Sequence, residues 1–424
     1  MTIDRRNFLT RAGLTAGAAM LTLLPSESAT ALSSPGGEPD RLFRAGRFAE
    51  ADRAYARLLR ANPADAHALA RRGRIALLAN RFERAERFLT EAIRLAPGDA
   101  FSKRQLAECH IRQDDLPPAV PLLQGTGDQM DAAEAVQYAS VTGAPYRLQG
   151  AQQTRLPFVG VDPLPSVRAS VNGGEPQTFL IDTGGTLALS TTTAERAGLR
   201  AVSTSTTHPA GQTLTTYHGV MPSFGLGDIT LGTVPVVWYD LRMPNLPDGT
   251  RPAGVIGTTL LYHFIATMDY AEQALVLRRK TAAQARQAWA EAAGRGAGRL
   301  PLWLAKDHVP CTLGSVNDYG PGVASVDTGG MGLGILMTED GAKRAGVEID
   351  YDHPQNSGGM PSYPITPARI SLGRAVGRNV PGVVGAWPWL DMFGFETVGN
   401  FTHEFFRSRA ITFDYAGMNF YVTA

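Results

Sequence analysis

The stretches FLIDTGGTLALS (179–190) and ASVDTGGMGLGI (324–335) decide how this chain is read, because an apolar run ending in Asp-Thr-Gly-Gly occurs in both. Asp182 and Asp327 stand 145 residues apart, and the same offset carries Val171 to Val316, Asn172 to Asn317, Asp269 to Asp414 and Tyr270 to Tyr415. Val234-Pro235 recurs as Val380-Pro381 at 146, and Ala197-Gly198 as Ala345-Gly346 at 148. One tetrapeptide arises by chance; a register of landmarks does not. Residues 155–424 therefore read as two copies of one fold. In the first copy SVRASVNGGEPQTFLIDTGG (166–185) alternates apolar residues and turns at Asn172-Gly173, the signature of a β-hairpin.

A carboxylate at the end of a buried strand, followed by Thr-Gly-Gly, sits on a tight turn whose glycines leave backbone amides free to point at it. Two such turns related by a pseudo-twofold axis bring two carboxylates within hydrogen-bonding reach. Both cannot ionise at that distance, so one proton is shared and the pair holds an acid and a base at one pH. A water between them loses a proton to the charged member while the neutral member protonates a peptide carbonyl, each role being worth about 10²–10⁴-fold in rate. The chemistry requires no metal, cofactor or covalent intermediate.

Length and composition frame this reading. A chain of 424 residues, 44% hydrophobic, has room for two to four packed units, and a formal charge of +1 argues against a broad electrostatic nucleic-acid partner. The 46 glycines and 28 prolines cluster in the C-terminal two-thirds, which predicts short strands there. The first third differs in kind.

Residues 1–31 read as an address. Arg5-Arg6 precedes Phe8-Leu9, an apolar-rich run over 12–24 and the small residues Ala29-Thr30-Ala31. This resembles a bacterial twin-arginine export signal, which implies a periplasmic or extracellular mature protein beginning near Leu32. Thirteen apolar-rich residues are too few to span a bilayer, so no transmembrane anchor is expected in the mature form.

Over 41–124 the signal is a period. Ala51, Ala85 and Ala119 lie 34 apart, as do Pro63 and Pro97, and Phe48, Phe82 and Leu116. ARRGRIALLANRFERAERFLTEAIRLAP (70–97) reads as a helix-turn-helix with Gly73 and Ala85 where paired helices approach. This part resembles the tetratricopeptide repeat family, which implies a docking groove for a protein partner; a plain helical scaffold is the alternative. Pro117, Pro118 and Pro121 are expected to interrupt the second helix of the third unit, and the arginines from Arg41 to Arg74 read as a solvated face. Residues 125–154 read as a linker, 155–280 as a first lobe, 281–298 as an inter-lobe linker helix with a glycine-rich exit, and 299–424 as a second lobe.

The doubled Asp-Thr-Gly-Gly register resembles the aspartic protease superfamily, and more closely its bacterial retropepsin-like members. The fold class expected is therefore multidomain α and β: an N-terminal α-helical tetratricopeptide-like repeat domain, then a two-lobed all-β retropepsin-like protease. The resemblance implies that Asp182 and Asp327 are catalytic and that Thr183 and Thr328 interlock the two turns, with Gly184, Gly185, Gly329 and Gly330 shaping them. It implies an apolar-apolar-Gly segment supporting each turn. Val255-Ile256-Gly257 fits in the first lobe, its glycine 75 residues after Asp182; in the second, Thr397-Val398-Gly399, its glycine 72 residues after Asp327, is expected over Val383-Val384-Gly385 at 58, with three extra residues before Asp414 that make the loop looser. Flap hairpins are implied between each turn and its supporting segment, with Tyr217 in 213–224 a candidate substrate contact or an ordinary strand aromatic. One chain carries both halves, so a complete site in a monomer is expected, acting on a peptide or protein substrate.

Gly185 and Gly330 stand where the family commonly has Ser, Thr or Ala, which removes a hydroxyl donor to each carboxylate. Three readings follow: an exported aspartic endopeptidase, a protease-fold peptide-binding module with a weak or inactive pair, and a repeat-based envelope adaptor. Other chemistry fails. His403-Glu404 lacks the second histidine of a zinc helix because position 407 is arginine, and Cys109 and Cys311, in different units, read as buried free thiols.

Overall fold

The computed structural model describes residues 37–207, 213–241, 243–357 and 360–424; the export signal read over 1–31 lies outside them. Seven helices open the described chain: α1 (Glu38–Arg44), α2 (Phe48–Ala61), α3 (Ala66–Leu78), α4 (Phe82–Leu95), α5 (Ala100–Ile111), α6 (Leu116–Gln124) and α7 (Gln129–Ala139). The 34-residue period has a physical basis at both ends of the first helix of each unit. Asp65 and Asp99, 34 apart, cap α3 and α5 by accepting from Ala68 N and Ser102 N, satisfying amides the first turn leaves free. Gly46, Asn80 and Asp114, again 34 apart, take positive φ at the turn that follows. Gly73 lets α3 and α4 close up, since a Cβ there would lie 2.5 Å from Leu89 Cγ.

Three expectations need correction in this region. The prolines do not break α6: Pro117 and Pro118 lie in its first turn, where an amide hydrogen has no partner to lose, and the helix runs through Pro121 to Gln124. The segment read as a linker over 125–154 holds α7, capped by Asp128, and a strand Arg147–Gly150. The arginines are not uniformly solvated, because Arg71 and Arg74 are buried.

The remainder is two β lobes joined by a central sheet. The first lobe is an eight-stranded sheet and the second a ten-stranded one, each with the strand that ends in the aspartate near its middle. The pseudo-twofold axis is visible in the six-stranded sheet between them: Phe264–Asp269 pairs antiparallel with Ala410–Asp414, Thr267 opposite Thr412, and their hydroxyls meet at 2.9 Å. Strands Gln153–Pro157 and Gly298–Pro301, starting 145 residues apart, close the two edges. The helix Ala282–Gly294, capped by Thr281, connects the lobes.

One hydrophobic core runs through both lobes. A second is shared between the helices and the second lobe: Phe48 packs edge-on against Trp303 (ring centroids 5.2 Å) and Phe395 (5.0 Å), with Phe43 and Tyr55 in the same cluster. The face of α1 and α2 that a free repeat would offer outward is filled here by the chain's own second lobe. Cys109 and Cys311 are buried and free. Among the described residues no helix is long and apolar enough to cross a membrane, and no three metal-ligating side chains gather.

Candidate active site

Asp182 ends, and Asp327 directly follows, a strand whose last four residues are buried and which lies beside a parallel neighbour. Gln177–Asp182 pairs with Gly254–Gly257, setting Asp182 opposite Gly257; Tyr319–Val326 pairs with Asn400–Phe401 and leads into Asp327. The two turns then lock reciprocally. Thr183 N donates to Thr328 Oγ1 and Thr328 N to Thr183 Oγ1, both at 3.1 Å, while Thr183 Oγ1 donates to Val326 O (2.9 Å) and Thr328 Oγ1 to Ile181 O (3.4 Å). These symmetric bonds fix the distance between the turns.

The two carboxyls consequently meet. Gly184 N donates to Asp182 Oδ1 and Gly329 N to Asp327 Oδ1, each at 2.9 Å, and the side chains of Asp182 and Asp327 share a hydrogen bond. Only glycine fits between them: a Cβ on Gly184 would stand 2.4 Å from Asp327 Oδ1, and one on Gly329 2.5 Å from Asp182 Oδ2. Asp182 is 1% and Asp327 6% exposed. Burial first, then the charge of Asp327 and the bond to it, hold the Asp182 carboxyl well above the usual range, against the opposing pull of the Gly184 and Gly185 amides.

The second supporting segment is not Thr397-Val398-Gly399. Strand pairing sets Ser325 opposite Asn400 and Val326 opposite Phe401, as Leu180 faces Val255 and Ile181 faces Ile256 in the first lobe. The segment is Asn400-Phe401-Thr402, and Thr402 lies 75 residues beyond Asp327 just as Gly257 lies 75 beyond Asp182. In this register the three extra residues before Asp414 vanish, since Thr402 precedes it by 12 residues as Gly257 precedes Asp269.

The shift exposes residues that motif reading missed. Asn400, 1% exposed, donates through Nδ2 to Asp327 Oδ2 (3.1 Å) and accepts from Ser325 Oγ (2.7 Å). A buried amide thus supplies the donor that Gly330 cannot, and the apolar pair Leu180 and Val255 is replaced in the second lobe by a polar pair. Thr402 explains the glycine itself. Its hydroxyl donates to Gly330 O (3.1 Å), and a Cβ on Gly330 would fall 2.1 Å from Thr402 Oγ1. In the first lobe the crowding is reversed: a Cβ on Gly257 would fall 2.1 Å from Gly185 O, and Thr258 N donates to that carbonyl instead (2.9 Å).

Tyr217 lies on the strand Leu214–Leu226, which pairs with Ser203–Thr207; its half-buried ring stacks on Trp238 with centroids 6.0 Å apart and planes 14° apart. His403 is buried beside Tyr270 (5.6 Å between rings), away from any zinc-helix arrangement.

With this geometry established, comparison with known proteins adds two matches. Residues 167–260 match the family model described as aspartyl protease, and residues 40–100 the model described as tetratricopeptide repeat. The chain thus carries an aspartyl protease-like domain preceded by tetratricopeptide repeats. Among solved structures it is similar to basic 7S globulin from soybean, at 13% identity over 66% of this chain and 95% of that one, with a TM-score of 0.36. It is also similar to a mutant O-GlcNAc transferase of Thermobaculum terrenum, at 18% identity over 32% of this chain, with a TM-score of 0.21. The chain spans 22% of that transferase's length, and neither likeness is close enough to carry an argument. No curated protein sequence matches.

Proposed function

We propose that this chain is an exported aspartic endopeptidase whose Asp182 and Asp327 activate one water for attack on a peptide carbonyl. The observation that supports this reading is the meeting of two buried, hydrogen-bonded carboxyls at the ends of matched strands, fixed by the reciprocal threonine bonds. In this reading Asp182, whose carboxyl is held up by burial, serves as the acid, and Asp327, with the Gly329 and Asn400 donors on its two oxygens, serves as the base. In the turnover proposed, Asp327 takes a proton from water as the resulting hydroxide adds to the carbonyl, and Asp182 gives its proton to the carbonyl oxygen. Collapse of the tetrahedral diol breaks the peptide bond as Asp327 gives the proton it took to the departing nitrogen and a diol hydroxyl returns a proton to Asp182, which restores the pair.

An extended segment of a peptide or protein is the substrate class, held by main-chain hydrogen bonds in strand fashion. Both halves of the site lie on one chain, so a monomer suffices. Arg5-Arg6, the apolar run and Ala29-Thr30-Ala31 support export by the twin-arginine route to the periplasm or beyond. The repeats supply a surface for a protein partner on the helix faces that the second lobe leaves open. A second reading, a protease-fold binding module with a silent pair, is favoured by how little of either carboxyl is exposed.

Digestion of a peptide library at several pH values, by wild type and by the Asp182→Asn and Asp327→Asn variants, separates the two. The endopeptidase gives cleavage that both variants lose. A wild-type digest as empty as those of the variants, with peptides still retained, establishes the binding module instead.

A further inference from the structure

The helices do not stand apart from the site. Arg74 Nη1 and Arg112 Nη2 donate to Lys306 O (3.3 and 3.0 Å) in the second lobe, and Gln137 Nε2 of α7 donates to Gly219 O (2.7 Å) and Val236 O (2.9 Å) in the first. Between these grips lies a polar chain whose ends, Asp131 and His308, are buried and whose middle is half-buried. Arg104 of α5 is 3.2 Å from Asp131 and 3.2 Å from Glu134, both on α7, and its far nitrogen is 3.8 Å from Asp307. Asp307 Oδ1 is in turn 2.7 Å from His308 Nδ1. His308 is 3% exposed, and its Nε2 lies 3.1 Å from Gly184 O, in the turn that carries Asp182. A carbonyl oxygen only accepts, so Nε2 bears the hydrogen and donates it.

That contact falls on a peptide unit with two ends. The Gly184 carbonyl shares its plane with the Gly185 amide, which donates back to Asp182 O (3.1 Å) and faces the Asp182 carboxylate. Because the peptide unit is planar, holding its oxygen fixes the direction of its N–H. A donor on the oxygen also polarises the unit and strengthens what the N–H gives. In the repeat register the position 145 residues before His308 is Pro163, which has no side-chain donor; the Asp327 turn is supported by Asn400 and Thr402 instead.

We infer that His308 is a positioning residue for the Asp182 turn, and that α5 of the repeat region holds it in place through Arg104 and Asp307. The helices then act on the site as an internal brace, in addition to any surface they offer a partner. The effect on turnover rests on the endopeptidase reading; the effect on the turn itself does not.

The test uses the full chain with His308→Phe, which keeps a ring and loses the donor, His308→Gln, which can keep an N–H near the Nε2 position, and Arg104→Met. Two quantities are read for each: kcat and KM on a peptide that wild type cleaves, and hydrogen exchange of the Gly184 and Gly185 amides. For His308→Phe we expect kcat to fall about tenfold or more with KM within about twofold, the pattern of a misplaced group, and the two amides to exchange about tenfold faster. His308→Gln restores both, and Arg104→Met shows a smaller change in the same direction. A His308→Phe variant whose kcat and amide exchange stay at the wild-type values overturns the inference. Equal loss in His308→Phe and His308→Gln also overturns it, because that marks a packing role. If wild type cleaves nothing yet exchange rises in the Phe variant and not in the Gln variant, the endopeptidase reading fails while the positioning role stands. Should His308→Phe fail to fold, Arg104→Met carries the test, with unchanged exchange as the contrary result.

Discussion

Replacing Asn400 with valine converts the second lobe to the pattern of the first, where Val255 occupies the equivalent place. The change removes the amide that donates to Asp327 Oδ2 at 3.1 Å and strands the Ser325 hydroxyl that donated to Asn400. A hydrogen bond to a charged group is worth about 1.5–3 kcal/mol. At about 1.36 kcal/mol per pH unit, its loss makes ionisation of the coupled pair harder by roughly one to two units. The donor favours the ionised pair over the fully protonated one, so removing it moves the acid limb of the kcat/KM profile upward in pH. The assay is kcat/KM against pH for a fluorogenic peptide chosen from the library digest. Asn400→Val combined with Ser325→Ala removes the stranded hydroxyl and restores lost stability while leaving the acid limb shifted. An acid limb unmoved in the single and double variants would refute the argument that Asn400 replaces the donor missing at Gly330.

Three further outcomes are expected. Thr183→Val removes the bonds from Thr328 N and to Val326 O, and Thr328→Val those from Thr183 N and to Ile181 O, so each destabilises by about 1–3 kcal/mol in urea unfolding and the double variant by about the sum; a double variant no less stable than either single one would contradict a lock made of two separate halves. Gly330→Ala, whose Cβ would fall 2.1 Å from Thr402 Oγ1, costs about 1–3 kcal/mol, and adding Thr402→Gly recovers most of it; no recovery in thermal unfolding would show the clash lies elsewhere. His218 is buried against Ser205 Oγ (2.8 Å), and burial lowers its imidazole to about 4. The unfolded chain takes up that proton near pH 6.5 and the folded one only near 4, so stability falls as pH drops across this window at about 1.36 kcal/mol per unit. His218→Gln should flatten that slope, and an unchanged slope would contradict the assignment.

Much of the architecture is legible in the sequence because it rests on repetition. The 145-residue register implies two lobes, and the central sheet then sets Thr267 against Thr412 across the axis. The 34-residue period fixes capping aspartates, left-handed turn residues and the close helix approach at Gly73. What resisted reading is where one copy exchanges chemistry with the other. Among segments that end in glycine, spacing favours Thr397-Val398-Gly399, whose 72 comes nearest to 75, whereas equal spacing of 75 from each aspartate points to Asn400-Phe401-Thr402, disguised because the second lobe uses polar residues where the first is apolar. Helix α7 gave no apolar stripe because two of its buried positions are polar: Asp131 faces Arg104, and Gln137 bonds strands of the first lobe. His308 left no local trace at all, since its contact with Gly184 joins residues 124 apart in sequence and exists only once the lobes have closed.

The most direct test of the central claim is the kcat/KM of Asp182→Asn, Asp327→Asn and the double variant on one cleaved peptide. Two carboxyls that share a proton and act as a unit predict that either single change drops the rate to the same floor, with the double variant no lower. A single variant that keeps a substantial fraction of wild-type activity, or a double variant that loses the product of the two single losses, would contradict a shared pair.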